Sequence, residues 1–277
     1  MDWLDEHSSP ELAARFRDRI GFPIERALFG GETGSRVDRD ALEALLVAVG
    51  RSIPFENLAL MEGNAEKINP VTIVAKILDR WEGGLCYEIN PLLALALRGE
   101  GLDARVIRAT IADPDTDDGW FALSRTHVAV LLTIGGDLFL ADAGFGLKQP
   151  LGLVPVGDDE GVRTPHGRYR VVAGSQGAQW MLQFDHGGGW TNGYGFSADD
   201  QIDNAETLDE IRDLIAYRSE SVFNRGPLVA LPTERGRLVL SVSRLTEVRD
   251  GRKSVHPLRP EEIDTVARLF FRSFATA

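Results

Sequence analysis

Cys86 is the single cysteine of this 277-residue chain, and it follows two glycines at the head of an apolar run, Glu82-Gly83-Gly84-Leu85-Cys86-Tyr87-Glu88-Ile89-Asn90. A lone thiol closes no disulfide within its own chain. Glycines let the backbone turn tightly and approach its neighbours. A helix N-terminus favours a thiolate through its unpaired N–H groups and the positive end of its dipole. Those are the conditions of a nucleophilic cysteine. Such a nucleophile needs a base, usually histidine, and a third group that orients the base. Of His7, His127, His166, His186 and His256, only His127 lies in a context that also supplies a carboxylate. His127–Ile134 and Leu138–Ala143 are two β-prone runs on either side of Gly135-Gly136. A two-residue glycine turn pairs Ile134 with Asp137 and sets Asp142 opposite Ala129. Alternation then puts His127 and Asp142 on one face as diagonal neighbours, and a slip of one residue would separate them. Among apolar flanks a carboxylate is costly unless paired, and an imidazole Nδ1–H is its natural partner. The plainer alternative is a buried structural cysteine, a core histidine and an aspartate that caps a turn.

The elements that must position these residues follow from periodicity. Residues 1–102 read as helical. Pro10–Arg19 has helix-like spacing, and Asp40 is placed to cap Ala41–Val49, with Gly50 ending it. Pro70 opens a helix carrying Ile73, Ile77 and Trp81. Leu92–Leu97 continues the pattern after Asn90-Pro91. Residues 103–204 are β-rich, with strands at Ala104–Ile111, His127–Ile134, Leu138–Ala143, Tyr169–Ala173 and Gln179–Phe184 between Gly- and Asp-rich turns. Residues 205–277 form a smaller mixed unit: a helix at Leu208–Tyr217, strands at Leu228–Pro232 and Arg237–Val242, and a last helix from Pro260 to Phe274. The fold class is α+β, in three parts.

Composition narrows the function. A hydrophobic fraction of 43% supports a real core, and a net charge of −12 argues against nucleic acid or a polybasic membrane dock. No apolar run approaches the ~20 residues of a membrane helix. An acidic N-terminus, one free thiol and no Asn-x-Ser/Thr site suit a reducing cytoplasm. One cysteine is too few for a zinc cluster. His186-Gly187-Gly188-Gly189-Trp190, Asp113–Gly119 and Gly30–Ser35 read as a glycine turn, a solvated acidic turn and a connector.

Gly83-Gly84-Leu85-Cys86-Tyr87-Glu88-Ile89-Asn90 resembles the GG-x-C-[FY]-E-x-N signature of arylamine N-acetyltransferases. Pro54-Phe55-Glu56-Asn57-Leu58 matches that family's PFENL segment. Thr126-His127 and Asp142-Ala143-Gly144-Phe145-Gly146 match its later motifs in order and spacing. The likeness is strong from about Ser52 to Gly146 and weaker across Tyr217–Leu240. It implies a helical bundle, an antiparallel β-barrel and an α/β lid around a papain-like Cys-His-Asp core of Cys86, His127 and Asp142. It implies acetyl-CoA as co-substrate, with no bound cofactor or metal. The implied acceptors are arylamines, arylhydrazines or N-hydroxyarylamines, acetylated by ping-pong transfer through an acetyl-cysteine. Phe55, Phe145 and Gly146 would border the acceptor.

Two departures from that pattern bear on the site. The family commonly has arginine before the two glycines, paired with the PFENL glutamate; Glu82 stands there, so Arg80, Lys76 or Arg51 must partner Glu56. Pro91 cannot donate to the Tyr87 carbonyl, so Asn90 as cap and Pro91 at the first position make the cleaner helix start. Cys86 would then sit on a preceding turn, with His127 rather than the dipole setting its reactivity. Competing readings are an amide synthase of the same fold acting on a polyketide or other acyl thioester, a cysteine peptidase or transglutaminase-like hydrolase, and a silent binding protein.

Overall fold

A computed structural model describes residues 3–30, 36–175 and 177–272; Gly31–Ser35, and the helix end expected beyond Arg272, lie outside them. Helix Cys86–Gly99 is the axis of the fold. Its residues from Cys86 to Leu97 are all buried, which a helix apolar on every side requires. Helix Pro10–Arg19 packs on one side of it, and strands Asp103–Ile111 and His127–Ile134 on the other.

Those strands belong to an eight-stranded antiparallel sheet. Its order is Val154–Pro155, Asp137–Ala141, His127–Ile134, Asp103–Ile111, Thr191–Gln201, Trp180–Asp185, Gly167–Ala173, Asp158–Thr164. The ends curl toward each other, with Gly157 N–H donating to the Val171 carbonyl at 2.9 Å, so the sheet is a nearly closed barrel. Strand His127–Ile134 is buried on both faces. Val128, Val130, Leu132 and Ile134 meet the helices, while Ala129 and Leu131 fill the barrel with Tyr169 and Tyr194. Hence its unbroken apolar run.

A second sheet orders Arg252–Pro257, Arg244–Arg249, Gly236–Ser241, Val229–Thr233 and Phe55–Glu56. Its edge strand comes from the N-terminal third: Phe55 pairs with Ala230 and Glu56 with Val229. Leu231, Leu238 and Leu240 face the last helix, Pro260–Arg272.

Several expectations need correction. Helix Arg39–Ser52 is capped by Asp38, whose carboxylate accepts from Ala41 N–H at 3.0 Å, and not by Asp40. Gly50 does not end it. A Cβ there would fall 2.1 Å from Leu151 Cδ2, so this glycine serves packing. The helix from Pro70 becomes a π-helical turn at Ala75–Asp79, before Trp81. The nucleophile helix begins at Cys86 and runs through Pro91, not from Asn90. Glu88 Oε2 caps its start by accepting from the Leu85 N–H at 2.9 Å, and Asn90 is tied to the hairpin. Strands Asp158–Thr164, Thr191–Gln201, Arg244–Arg249 and Arg252–Pro257 were not expected, being rich in Gly, Asp, Asn and Arg. Neighbouring strands supply the pairing that propensity does not.

Candidate active site

Gly135 and Gly136 take φ of +63° and +94°, and the hairpin pairs Ile134 with Asp137 and Val130 with Ala141. That is the expected register, and Asp142 follows directly. His127 Nε2 lies 2.8 Å from Asp142 Oδ2, both side chains buried. The ring nitrogen is the opposite of the one expected. Nε2 takes the carboxylate and leaves Nδ1 for the thiol. Cys86 Sγ donates to the Thr126 carbonyl oxygen at 3.7 Å, and it lies near enough to the His127 ring to help raise the imidazole's pKa.

Asp142 has four donors. His127 and the Tyr194 hydroxyl (2.8 Å) share Oδ2; Asn90 Nδ2 (2.8 Å) and Gly144 N–H (2.7 Å) share Oδ1. Asn90 stands one helical turn beyond Cys86, on the same face. Its amide also donates to the Val128 carbonyl at 2.7 Å and accepts from Ala143 N–H at 2.9 Å. One side chain therefore locks the nucleophile helix to both strands of the hairpin. Gly144 permits the approach, since a Cβ there would lie 2.7 Å from Cys86 Cα. Asn90 was visible in the cysteine motif but read as a cap. Tyr194 sits on a strand whose Thr-Asn-Gly-Tyr-Gly sequence carries no β signal.

Beneath the glycines lies a buried ionic cluster. Lys76 Nζ contacts Glu56 Oε1 at 3.1 Å and Glu88 Oε1 at 2.9 Å. Of the three candidate partners for Glu56, Lys76 is the one that reaches it, while Glu82 pairs with Arg80 near the surface. Burial pushes the Glu88 carboxyl up and Lys76 partly counters it; for Lys76 itself, burial opposes the charge, but Glu56 and Glu88 together raise its pKa. Gly83 tolerates no side chain, because a Cβ would lie 2.1 Å from the Pro54 carbonyl oxygen. The buried Arg19 guanidinium donates to the carbonyls of Trp81 and Glu82, just before it.

Burial opposes a charge on His127, but the Asp142 carboxylate overrides it and lifts the imidazole to about 10. Burial likewise opposes the Asp142 charge, and His127, Asn90 and Tyr194 outweigh it, holding the carboxyl low. The pair is an imidazolium–carboxylate at neutral pH. With the folded pKa above the unfolded value of ~6.5, its contribution to stability is complete below that pH and is lost as pH rises toward about 10. Nitrogen NMR of the imidazoles should show His127 protonated well into the alkaline range. In Asp142→Asn the imidazole pKa should fall, because only Cys86 is then left to oppose burial. A wild-type ring neutral at about pH 8 would contradict the pairing.

Cys86 and His127 open onto a cleft of about 440 Å³ that also contains Phe55, Phe145 and Gly146. Phe145 packs 5.3 Å from the His127 ring and 5.0 Å from Tyr194, measured between centroids. Phe55 meets Phe223 edge-on at 5.7 Å. Gly146 has φ of +57°, and a Cβ there would crowd Phe55 at 3.3 Å. All six residues singled out from the sequence thus meet at one place. Among the described residues no helix is long and apolar enough to cross a membrane, and no cluster of His, Cys, Asp or Glu could hold a metal.

Residues 38–272 match the N-acetyltransferase family model. The uncharacterized acetyltransferase YvcN of Bacillus subtilis is 33% identical over 84% of this chain and 86% of its own length. The arylamine N-acetyltransferase / N-hydroxyarylamine O-acetyltransferase of Salmonella typhimurium is 28% identical over 85% of this chain and 81% of its own. Arylamine N-acetyltransferase C from Bacillus anthracis superposes with a TM-score of 0.81 at 28% identity, covering 96% of this chain and 98% of that one. The chain belongs to the arylamine N-acetyltransferase family and is an acyltransferase.

Proposed function

We propose that this enzyme moves an acetyl group from acetyl-CoA to the nitrogen of arylamines, arylhydrazines or N-hydroxyarylamines, by way of an acetyl-cysteine on Cys86. The observation that carries this reading is the meeting of Cys86 with the hydrogen-bonded His127–Asp142 pair at the base of an aromatic cleft.

In the first half, the Cys86 thiolate attacks the thioester carbonyl, and the His127 imidazolium gives its proton to the departing CoA sulfur. In the second half, the amine attacks the acetyl-cysteine. His127, now neutral, takes the amine proton, and Cys86 leaves as the thiolate, restoring the ion pair. Asp142 stays ionised throughout and keeps Nδ1 turned to the sulfur. The Cys86 N–H, in the first turn of its helix, has no intrahelical acceptor and is available to the tetrahedral oxyanion. Phe55, Phe145 and Gly146 shape a flat apolar slot suited to an aromatic acceptor.

Intact mass after incubation with acetyl-CoA should show one added acetyl group, absent from Cys86→Ala and discharged by an aromatic amine. Wild-type protein that takes no acetyl group would refute the proposal. Acylation only by longer thioesters would move the assignment to an amide synthase.

A further inference from the structure

One wall of the cleft comes from the segment that joins helix Ala205–Tyr217 to strand Val229–Thr233. Ser221, Val222, Phe223 and Leu228 of that segment line the cleft, and Phe223 meets the Phe55 ring edge-on. Part of the segment is bonded to itself. Ser221 N–H and Asn224 Nδ2 both donate to the Arg218 carbonyl, at 3.1 and 2.6 Å, and Phe223 N–H donates to Ser221 Oγ at 3.2 Å. These bonds shape the turn, but they do not fix where it stands relative to Phe55. Val222 is 51% exposed, so burial anchors it weakly.

Asn57 supplies that tie. Its side chain is buried, and Nδ2 donates to the carbonyls of Phe223 at 2.6 Å and Gly226 at 2.9 Å, while Oδ1 accepts from the Leu228 N–H at 2.7 Å. Both amide protons and the amide oxygen are thus engaged on a stretch that begins 166 residues away in sequence. The backbone adds to them: Asn57 N–H donates to the Leu228 carbonyl at 3.2 Å, continuing the pairing of Phe55 with Ala230 and Glu56 with Val229. Local position gives Asn57 another task. It precedes the short helix Leu58–Met61, where an asparagine ordinarily caps, yet its side chain makes no capping bond. Glu56 serves there instead, its Oε2 accepting from the Leu58 N–H at 2.6 Å. An amide turned from its local duty and satisfied by one distant segment fixes the place of that segment.

We propose that Asn57 is a positioning residue for the amine half of the reaction: it sets the spacing of Phe223 from Phe55, and with it the width of the slot that admits the aromatic ring of the acceptor. Asn57 touches no reacting atom and acts through Phe223. The inference rests on the acyl-transfer reading above. A flat ring needs a slot of fixed width, because a gap of about 0.5–1 Å forfeits a quarter to a half of the dispersion energy of each contact. A small acceptor such as hydrazine makes no such demand. Cys86 and the His127–Asp142 pair are held by Asn90 and the hairpin, so the reacting groups keep their places when the wall shifts.

The test compares wild type, Asn57→Ala, Phe223→Leu and the double variant on 2-aminofluorene and on hydrazine. Each rate is divided by the amount of Cys86 that acetyl-CoA acetylates in a single burst, which removes any unfolded fraction. In a double displacement, kcat/KM for the acceptor reports the amine half alone. Asn57→Ala should lose on the order of tenfold in kcat/KM for 2-aminofluorene relative to hydrazine. Because Asn57 acts through Phe223, the double variant should lose no more than the worse of the two single variants. Equal losses for both acceptors, or no loss, overturn the proposal, and so do losses that multiply in the double variant. Asn57→Asp keeps the acceptor for the Leu228 N–H and removes both donors; it should show the same split, and it carries the test where the alanine variant does not fold. Wild-type Cys86 that takes up no acetyl group would instead remove the acyl-transfer reading itself.

Discussion

Asp142→Asn should fold and lose roughly a thousand- to ten-thousand-fold in the rate of acetyl-enzyme formation. The reason lies in the donor count. Asp142 accepts from His127 and Tyr194 on one oxygen and from Asn90 and Gly144 on the other. Asparagine supplies one oxygen and one amide group. With its oxygen toward His127, its NH₂ meets two other donors, Asn90 Nδ2 and the Gly144 N–H. Turned the other way, the NH₂ faces Nε2, which must then accept, so the ring proton moves to Nδ1. That nitrogen points at the sulfur and no longer takes a proton from it. Both arrangements discharge the ion pair that keeps His127 cationic. Single-turnover acetylation, followed by quenched-flow mass measurement, reads the effect directly. A variant retaining more than about a tenth of the wild-type rate would show that Asp142 does not set the tautomer of His127.

Lys76→Met should cost about 3–5 kcal/mol of stability. The side-chain volume is nearly kept, but two carboxylates, Glu56 and Glu88, lose the ammonium that compensates them while both remain buried. Breaking a buried pair by deleting one member is far costlier than replacing the whole group by apolar residues. For a chain of this size the loss corresponds to a melting shift on the order of 10 °C. Lys76→Met with Glu56→Gln should recover part of it, because one uncompensated charge is then removed. The consequence reaches the chemistry as well. Glu88 holds the Leu85 N–H at the start of the nucleophile helix, and Glu56 holds the Leu58 N–H beside Phe55. Denaturant melts placing Lys76→Met within about 1 kcal/mol of wild type would mean that water already compensates the cluster.

The cluster also shows where reading the chain reached its limit. Glu82 in the position of the family's arginine posed the question of what neutralises Glu56, and three cations were available by composition. Only the π-helical turn Ala75–Asp79 decides among them. It brings Lys76 inward between two carboxylates and leaves Arg80 to pair with Glu82 and Glu66 at the surface. Pro91 marks a similar limit. Its missing N–H argues against a helix beginning at Cys86, and local propensity alone would start the helix at Asn90. The helix nonetheless begins at the cysteine, because Glu88 accepts from the Leu85 N–H at its start and Asn90 ties it to groups far away in sequence.

The sequence by itself determined the chemistry-bearing residues and the local geometry that relates two of them. A two-residue glycine turn between two β-prone runs sets the register, and alternation along that register places His127 and Asp142 on the same side. The cysteine motif and its glycines are equally local, since a close backbone approach excludes any larger residue. Only the tertiary structure decided what surrounds that pair. Tyr194 reaches Asp142 from a strand with almost no β signal, and Asn90 reaches it from a helix on the other side of the sheet. Phe55 joins the cleft because its short segment becomes the edge of a sheet formed almost 200 residues later in the chain. The choice of Nε2 over Nδ1 for the carboxylate likewise depends on where the helix carrying Cys86 packs against the hairpin. Periodicity and turn chemistry act over a few residues, whereas a buried polar group takes whichever partner the packed core brings within hydrogen-bonding distance.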